Sequence, residues 1–183
     1  MKNRTAKTYR ISRSFIACLS RSLALATLGA MGLGEAKAVD YNWDPGQTGG
    51  TFGGGAGTWN LTDTSWFNAV SGLDEVWGNT IADKAIFGNT AGIVSINTGT
   101  GVVVNGLTFN SSGYTLAGAS LGDVLSLQGA TPTITVGNAA HTATISTSIT
   151  GTSGLTLAGA GTLALTGIIC LQEAHPSIAA VSR

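Results

Sequence analysis

From Ile93 onward, apolar and polar residues alternate in short runs: Val94-Ser95-Ile96, Leu107-Thr108-Phe109, Tyr114-Thr115-Leu116, Leu125-Ser126-Leu127, Ile134-Thr135-Val136, Ala143-Thr144-Ile145, Leu155-Thr156-Leu157 and Leu163-Ala164-Leu165. Each run puts two apolar side chains on one face and a small, mostly hydroxylic residue on the other. That two-residue period predicts half-buried β-strands. Between the runs stand Asn110-Ser111-Ser112-Gly113, Gly137-Asn138 and Gly151-Thr152-Ser153-Gly154, residue types that tolerate tight turns. No stretch beyond residue 38 carries a helical period, so the chain is expected to be all-β.

The spacing of the runs constrains their arrangement. Taking centres at Thr108, Thr115, Ser126, Thr135, Thr144, Thr156 and Ala164, every second step falls between 18 and 21 residues. A near-constant two-strand period is what a coiled solenoid produces when each turn contributes more than one strand. Small outward residues can also stack in ladders along such a rod. A parallel β-helix is therefore the expected fold. A β-sandwich, with strands every 8–12 residues, is the alternative.

Residues 39–92 have a different texture. They hold all four tryptophans (Trp43, Trp59, Trp66, Trp77), with Phe52, Phe67, Phe87 and the glycine-rich run at 49–57. One reading is an aromatic cap over the open end of the rod, because a bare end leaves backbone and apolar side chains unpaired. The other is a platform on which sugars stack against indole faces.

Charge divides the chain. Only 10% of its 183 residues are charged, and the totals cancel, yet residues 1–38 carry seven basic side chains against Glu35. Residues 39–183 carry Lys84 and Arg183 against eight acidic side chains. The acidic portion lacks the basic face that nucleic acid requires. The basic portion reads as an address. A basic stretch over 1–21 precedes an uncharged, mostly apolar run over 22–34, followed by Ala36-Lys37-Ala38, where cleavage after Ala38 is expected. At 13 residues, that run is shorter than the ~20 a membrane-spanning helix needs. The organisation expected is a signal peptide over 1–38, a Trp/Gly-rich cap over 39–92, solenoid rungs over 93–167 and an atypical tail over 168–183.

Candidate chemistry is sparse. Cys18 falls in the signal and Cys170 in the tail, so residues 39–169 have no disulfide framework. His141 and His175 lack the spacing of zinc ligands. Asp74-Glu75 with Asp83 nearby is the nearest approach to a glycosidase pair, but neighbours on a strand face opposite ways. Asp40 and Asp44 occur without the repeated Asp-rich calcium motif. No Gly-x-Ser-x-Gly elbow is present. No catalytic, cofactor or metal residue is predicted.

Several segments resemble a known family. Tyr41-Asn42-Trp43-Asp44, Gly57-Thr58-Trp59-Asn60, Ser65-Trp66, Ala85-Ile86-Phe87-Gly88 and Val104-Asn105-Gly106-Leu107-Thr108-Phe109 resemble the opening of autotransporter passenger domains. The stretch Ser153-Gly154-Leu155-Thr156-Leu157-Ala158-Gly159-Ala160-Gly161-Thr162-Leu163-Ala164-Leu165-Thr166-Gly167 resembles the autotransporter-associated β-strand repeat, with Leu157 where that family usually has Lys. The resemblance spans about residues 41–167. It implies an exported, non-enzymatic structural passenger with a right-handed parallel β-helix, whose repeat assists export and folding, and surface adhesion as a further role. The implied partners are the secretion machinery and an outer-membrane translocator barrel, with a surface glycan or self-association as the contact outside the cell. The competing function is an exported carbohydrate-binding or carbohydrate-active module built on the Trp-rich region. After Gly167 the pattern departs from the family. The last 16 residues are too few for a barrel of at least eight ~10-residue strands, so a truncated chain, or a tail read in a shifted frame, is expected.

Overall fold

A computed structural model describes residues 38–171 together with the backbone of Arg10–Ile11. Most of the signal peptide expected over 1–38, and residues 172–183 of the tail, lie outside the described residues. The elements are β1 (Arg10–Ile11), β2 (Asp40–Trp43), β3 (Gly57–Trp59), β4 (Trp66–Asn68) and β5 (Leu73–Glu75), followed by twelve strands in four successive triplets. The first turn holds β6 (Lys84–Phe87), β7 (Ile93–Ile96) and β8 (Val102–Val104); the second holds β9 (Gly106–Phe109), β10 (Tyr114–Gly118) and β11 (Leu125–Leu127). The third holds β12 (Thr133–Val136), β13 (Thr142–Ile145) and β14 (Ile149–Gly151); the fourth holds β15 (Thr156–Gly159), β16 (Thr162–Leu165) and β17 (Ile169–Leu171).

Each strand pairs in parallel with the third strand after it, so the chain winds as a three-sided solenoid. Parallel neighbours cannot be joined by a tight hairpin; here the two intervening strands and their corners make the connection. The β-sandwich alternative is thereby excluded. The two-strand period is also corrected, because each turn has three strands. Thr108 stacks on Thr135, 27 residues away, and Ser126 on Thr150, 24 away. Two strands escape the alternation pattern: Val102–Val104 has no polar member, and Ile149–Gly151 ends on glycine. The first complete turn opens at Lys84, and Ile169–Leu171 in the tail stacks on β14 as an ordinary rung strand.

Alternation converts directly into burial. Phe87, Phe109 and Val136 form one inward column, Val94, Leu116, Ile145 and Leu165 a second, and Val102, Leu125 and Ile149 a third. Burying each such side chain contributes about 1.5–3 kcal/mol. The outward columns carry small residues, such as Thr108, Thr135 and Ala158 on one face and Val103, Ser126, Thr150 and Cys170 on another.

The two ends differ. At the N-terminal end, β2 and β3 lie parallel on β6 and β7, and the chain then reverses: β4 pairs antiparallel with β2, and β5 antiparallel with β4. At the other end, β1 pairs parallel with β16. Among the described residues, β15 and β17 have no strand on their outer edges.

Candidate functional site

The densest chemistry lies at the N-terminal end. Trp43, Trp59, Trp66 and Trp77 are each at most 2% exposed. Trp66 sits at the centre, 4.9 Å from Trp43, 4.7 Å from Trp59, 4.8 Å from Trp77 and 5.6 Å from Phe87, ring centroid to ring centroid. The rings meet edge-on or tilted, the arrangement their quadrupoles favour. Phe87 continues the stack onto Phe109 at 5.2 Å, so the cluster runs unbroken into the rungs. Trp43 Nε1 donates to the Gly55 carbonyl at 2.9 Å and Trp77 Nε1 to the Val103 carbonyl at 3.1 Å. With all four indoles enclosed, no tryptophan face is open to a sugar, which removes the basis of the platform reading.

Tyr114 joins this cluster to the glycine-rich run. Its hydroxyl reaches the carbonyl oxygens of Gly88 (2.7 Å) and Thr90 (2.6 Å) and accepts from the Gly55 amide at 3.3 Å. Burial pushes this phenol above its ordinary pKa. Gly54 is required for the approach: at φ 68° it lies in left-handed backbone, and a Cβ there would overlap the Gly88 and Thr90 carbonyls and the Tyr114 hydroxyl.

The carboxylates named from sequence do not form one centre. Glu75 accepts from Asn68 Nδ2 (2.8 Å) and Ser71 Oγ (2.6 Å). Asp74 faces the other way, toward the loop at 44–51, and Asp83 accepts from the Thr80 amide at 3.0 Å. Asp40 is exposed opposite Lys84, whereas Asp44 is fully buried and accepts from the amide (2.8 Å) and hydroxyl (3.0 Å) of Thr48. His141 Nδ1 is enclosed without a hydrogen-bond partner. No group of three or more metal-ligating side chains occurs among the described residues.

Asp123 was not marked by any sequence motif, yet it organises a corner of the solenoid. It accepts from the amides of Thr98 and Gly99, both 2.7 Å, and from the amide (2.9 Å) and hydroxyl (2.7 Å) of Ser120. One carboxylate thus ties the first turn to the second, and the Thr147 hydroxyl donates to the Asp123 carbonyl from the third. The available signal was its isolation, since it is the sole acidic residue between Lys84 and Glu173. Burial pushes its pKa up, but the bonds from Ser120, Thr98 and Gly99 outweigh burial and hold the carboxyl at about 2. An unfolded aspartate titrates near ~4, so the unfolded chain binds the extra proton between these values. The contribution of Asp123 is present above pH ~4 and is lost as pH falls toward ~2. Asp123→Ala is expected to cost about 2–4 kcal/mol at neutral pH and to flatten the acid limb of stability, measured by denaturant titration across pH. Beside this corner lies a hollow of about 370 Å³ lined by Gly118, Ser120, Leu121, Ser146, Thr147 and Ser148. Its polar groups are largely engaged: Ser120 Oγ donates to the Asp123 carboxylate, Ser146 Oγ to the Leu116 carbonyl and Thr147 Oγ1 to the Asp123 carbonyl.

No family model matches the sequence, and no solved structure matches the chain. Over 151 residues the chain is 41% identical to the Adhesin BmaC autotransporter of Brucella suis biovar 1 (strain 1330). That match covers 81% of this chain and 4% of the adhesin, so the chain spans a small part of its relative's length. Such identity, running along most of an all-β, aromatic-capped parallel solenoid, supports an autotransporter-associated protein.

Proposed function

We propose that this chain is an exported, non-enzymatic structural passenger segment whose stacked turns assist export and folding and which takes part in adhesion at the cell surface. The observation that carries this reading is the in-register parallel stacking of four turns from an aromatic cap. A chain that emerges unfolded from a narrow translocator gains apolar burial with each turn it adds, and that gain opposes backsliding. The near absence of charge suits passage: Lys84 is the sole Lys or Arg over residues 38–171. The address over 1–38, with cleavage after Ala38, delivers the chain across the inner membrane, and an outer-membrane translocator barrel is its partner for display. The adhesin relative supports the surface role.

The test is export of the chain joined to a translocator barrel in a Gram-negative host, read by protease accessibility at the cell surface. Leu163 and Leu165 point into the core of the last turn and Leu155 packs against it. Replacing all three with aspartate is expected to reduce surface display about tenfold, because a buried unpaired charge costs several kcal/mol. Undiminished display would refute the folding-assisted step. The adhesive role is checked by attachment of displaying cells to host-cell monolayers against barrel-only controls.

A further inference from the structure

The fourth turn is open where the turns before it are closed. Along the face built by β6, β9, β12 and β15, one inward column runs Ala85, Leu107, Ile134 and Leu157. The first three are at most 1% exposed, whereas Leu157 is only half-buried. Among the described residues, β16 has β1 on its outer edge, but β15 has no strand there. The backbone of β15 is open as well. Its Thr156 amide donates back to the Pro132 carbonyl at 2.9 Å. Successive residues of a paired strand turn their backbone groups to opposite sides, so the Leu157 amide is aimed at the bare edge.

The chain itself carries a segment that matches this edge. Leu171-Gln172-Glu173-Ala174-His175-Pro176-Ser177-Ile178-Ala179-Ala180 follows the pattern of Leu127-Gln128-Gly129-Ala130-Thr131-Pro132-Thr133-Ile134-Thr135-Val136. Leu, Gln, Ala, Pro and Ile recur at the same places, and Ser177 answers Thr133. The earlier segment leaves β11, crosses the corner at 128–132 and opens β12. The later one leaves β17, which stacks through β14 onto the same face as β11. A corner of the same length, 172–176, therefore brings the chain to where the next strand on β15 must begin. Proline is tolerated at the opening of a strand. Glu173 stands where Gly129 has φ 100°, so the later corner needs a different turn. The corner after β14 already differs: it is one residue shorter, with its left-handed glycine at Gly154, yet β15 keeps its register.

We propose that the segment 177–180 is the opening strand of a fifth turn, docked in parallel on β15 and closing its outer edge. The register follows from the turns before it. Gly106 pairs with Thr133 and Thr133 with Thr156, so Thr156 pairs with Ser177. Ile178 then extends the column of Leu107, Ile134 and Leu157, and Ala179 the outward column of Thr108, Thr135 and Ala158. The Thr133 amide donates to the Asn105 carbonyl and the Thr156 amide to that of Pro132. By the same step the Ser177 amide donates to the Leu155 carbonyl, and the Leu157 amide gains the Ser177 carbonyl. The docked strand also changes the character of the edge. Asp123 is the sole charged side chain between Lys84 and Glu173, so β15 alone offers a neutral edge to any other strand. The tail brings Glu173, Pro176 and Arg183, residue types that oppose edge-to-edge association.

The experiment is amide hydrogen exchange of the full chain at high and low protein concentration, on wild type, Ile178→Asp and Ala179→Asp. In wild type the Leu157 and Ser177 amides are expected to be protected at both concentrations. Ile178→Asp puts a charge into the inward column and should speed Leu157 exchange about tenfold or more. Thr156, β9 and β12 should keep their protection, because each turn contacts only its neighbours. Ala179→Asp faces outward and should leave Leu157 as in wild type. Ser177 exchanging in wild type as fast as an unstructured peptide would overturn the proposal without recourse to any variant. Leu157 protection unchanged by Ile178→Asp, lost equally in Ala179→Asp, or lost together with that of β9 would also overturn it. Wild-type Leu157 protection that disappears on dilution would assign the edge to a second copy of the chain instead.

Discussion

Replacing Trp66 with alanine is expected to cost about 3–5 kcal/mol and to collapse the N-terminal end of the rod. Trp66 is fully buried and touches three other indoles and Phe87. Its removal opens a cavity that stiff rings cannot close, since each is fixed by a different strand or loop: Trp43 by β2, Trp59 by β3 and Trp77 by its bond to Val103. Trp66 also opens β4, the strand that covers the outer edge of β2. Loss of β4 bares β2 and leaves β5 without a partner. The effect should decay along the rod, because in a solenoid each turn contacts only its neighbours. Denaturant unfolding followed by the remaining tryptophans should report the full loss. Hydrogen exchange should show protection lost over β2–β6 and retained over β12–β17. A loss below ~1 kcal/mol would mean that the cluster is not what closes this end.

Much of this architecture was legible residue by residue. Leu107-Thr108-Phe109 and Leu125-Ser126-Leu127 announce an inside and an outside, and the structure buries the residues they name. What alternation cannot express is the partner. A two-residue period is the same whether a strand pairs in parallel or antiparallel, so the sandwich stayed open until the register was seen. Counting failed where a strand lacked contrast: Ile149–Gly151 ends on glycine and went uncounted, so the third turn showed two strands instead of three. Four tryptophans in one region favoured a cap but left a platform open, because aromatic content does not state which face is wet. Asp123 escaped for a related reason: it joins residues 24 and 25 apart, at corners whose superposition only the winding defines.

The register itself can be tested at one pair of adjacent residues. Leu116 lies in the inward column between Val94 and Ile145 and is fully buried, while Thr115 lies in the outward column between Ile93 and Thr144. Leu116→Asp would place a carboxylate in a column of aliphatic side chains, and no Lys or Arg exists between Lys84 and residue 171 to pair with it. The charge must be desolvated unpaired or the strand must leave the rod, and the expected cost is about 4 kcal/mol or more. Thr115→Asp changes a side chain that faces out, with no acidic neighbour in its column, and should fall within about 1 kcal/mol of wild type. Far-ultraviolet circular dichroism and resistance to proteolysis should separate the two. Because β10 sits in the second of four turns, Leu116→Asp should also uncouple the capped end from the third and fourth turns. Proteolysis is then expected to cut first between β9 and β12, whereas equal tolerance of both substitutions would show that the columns are misassigned.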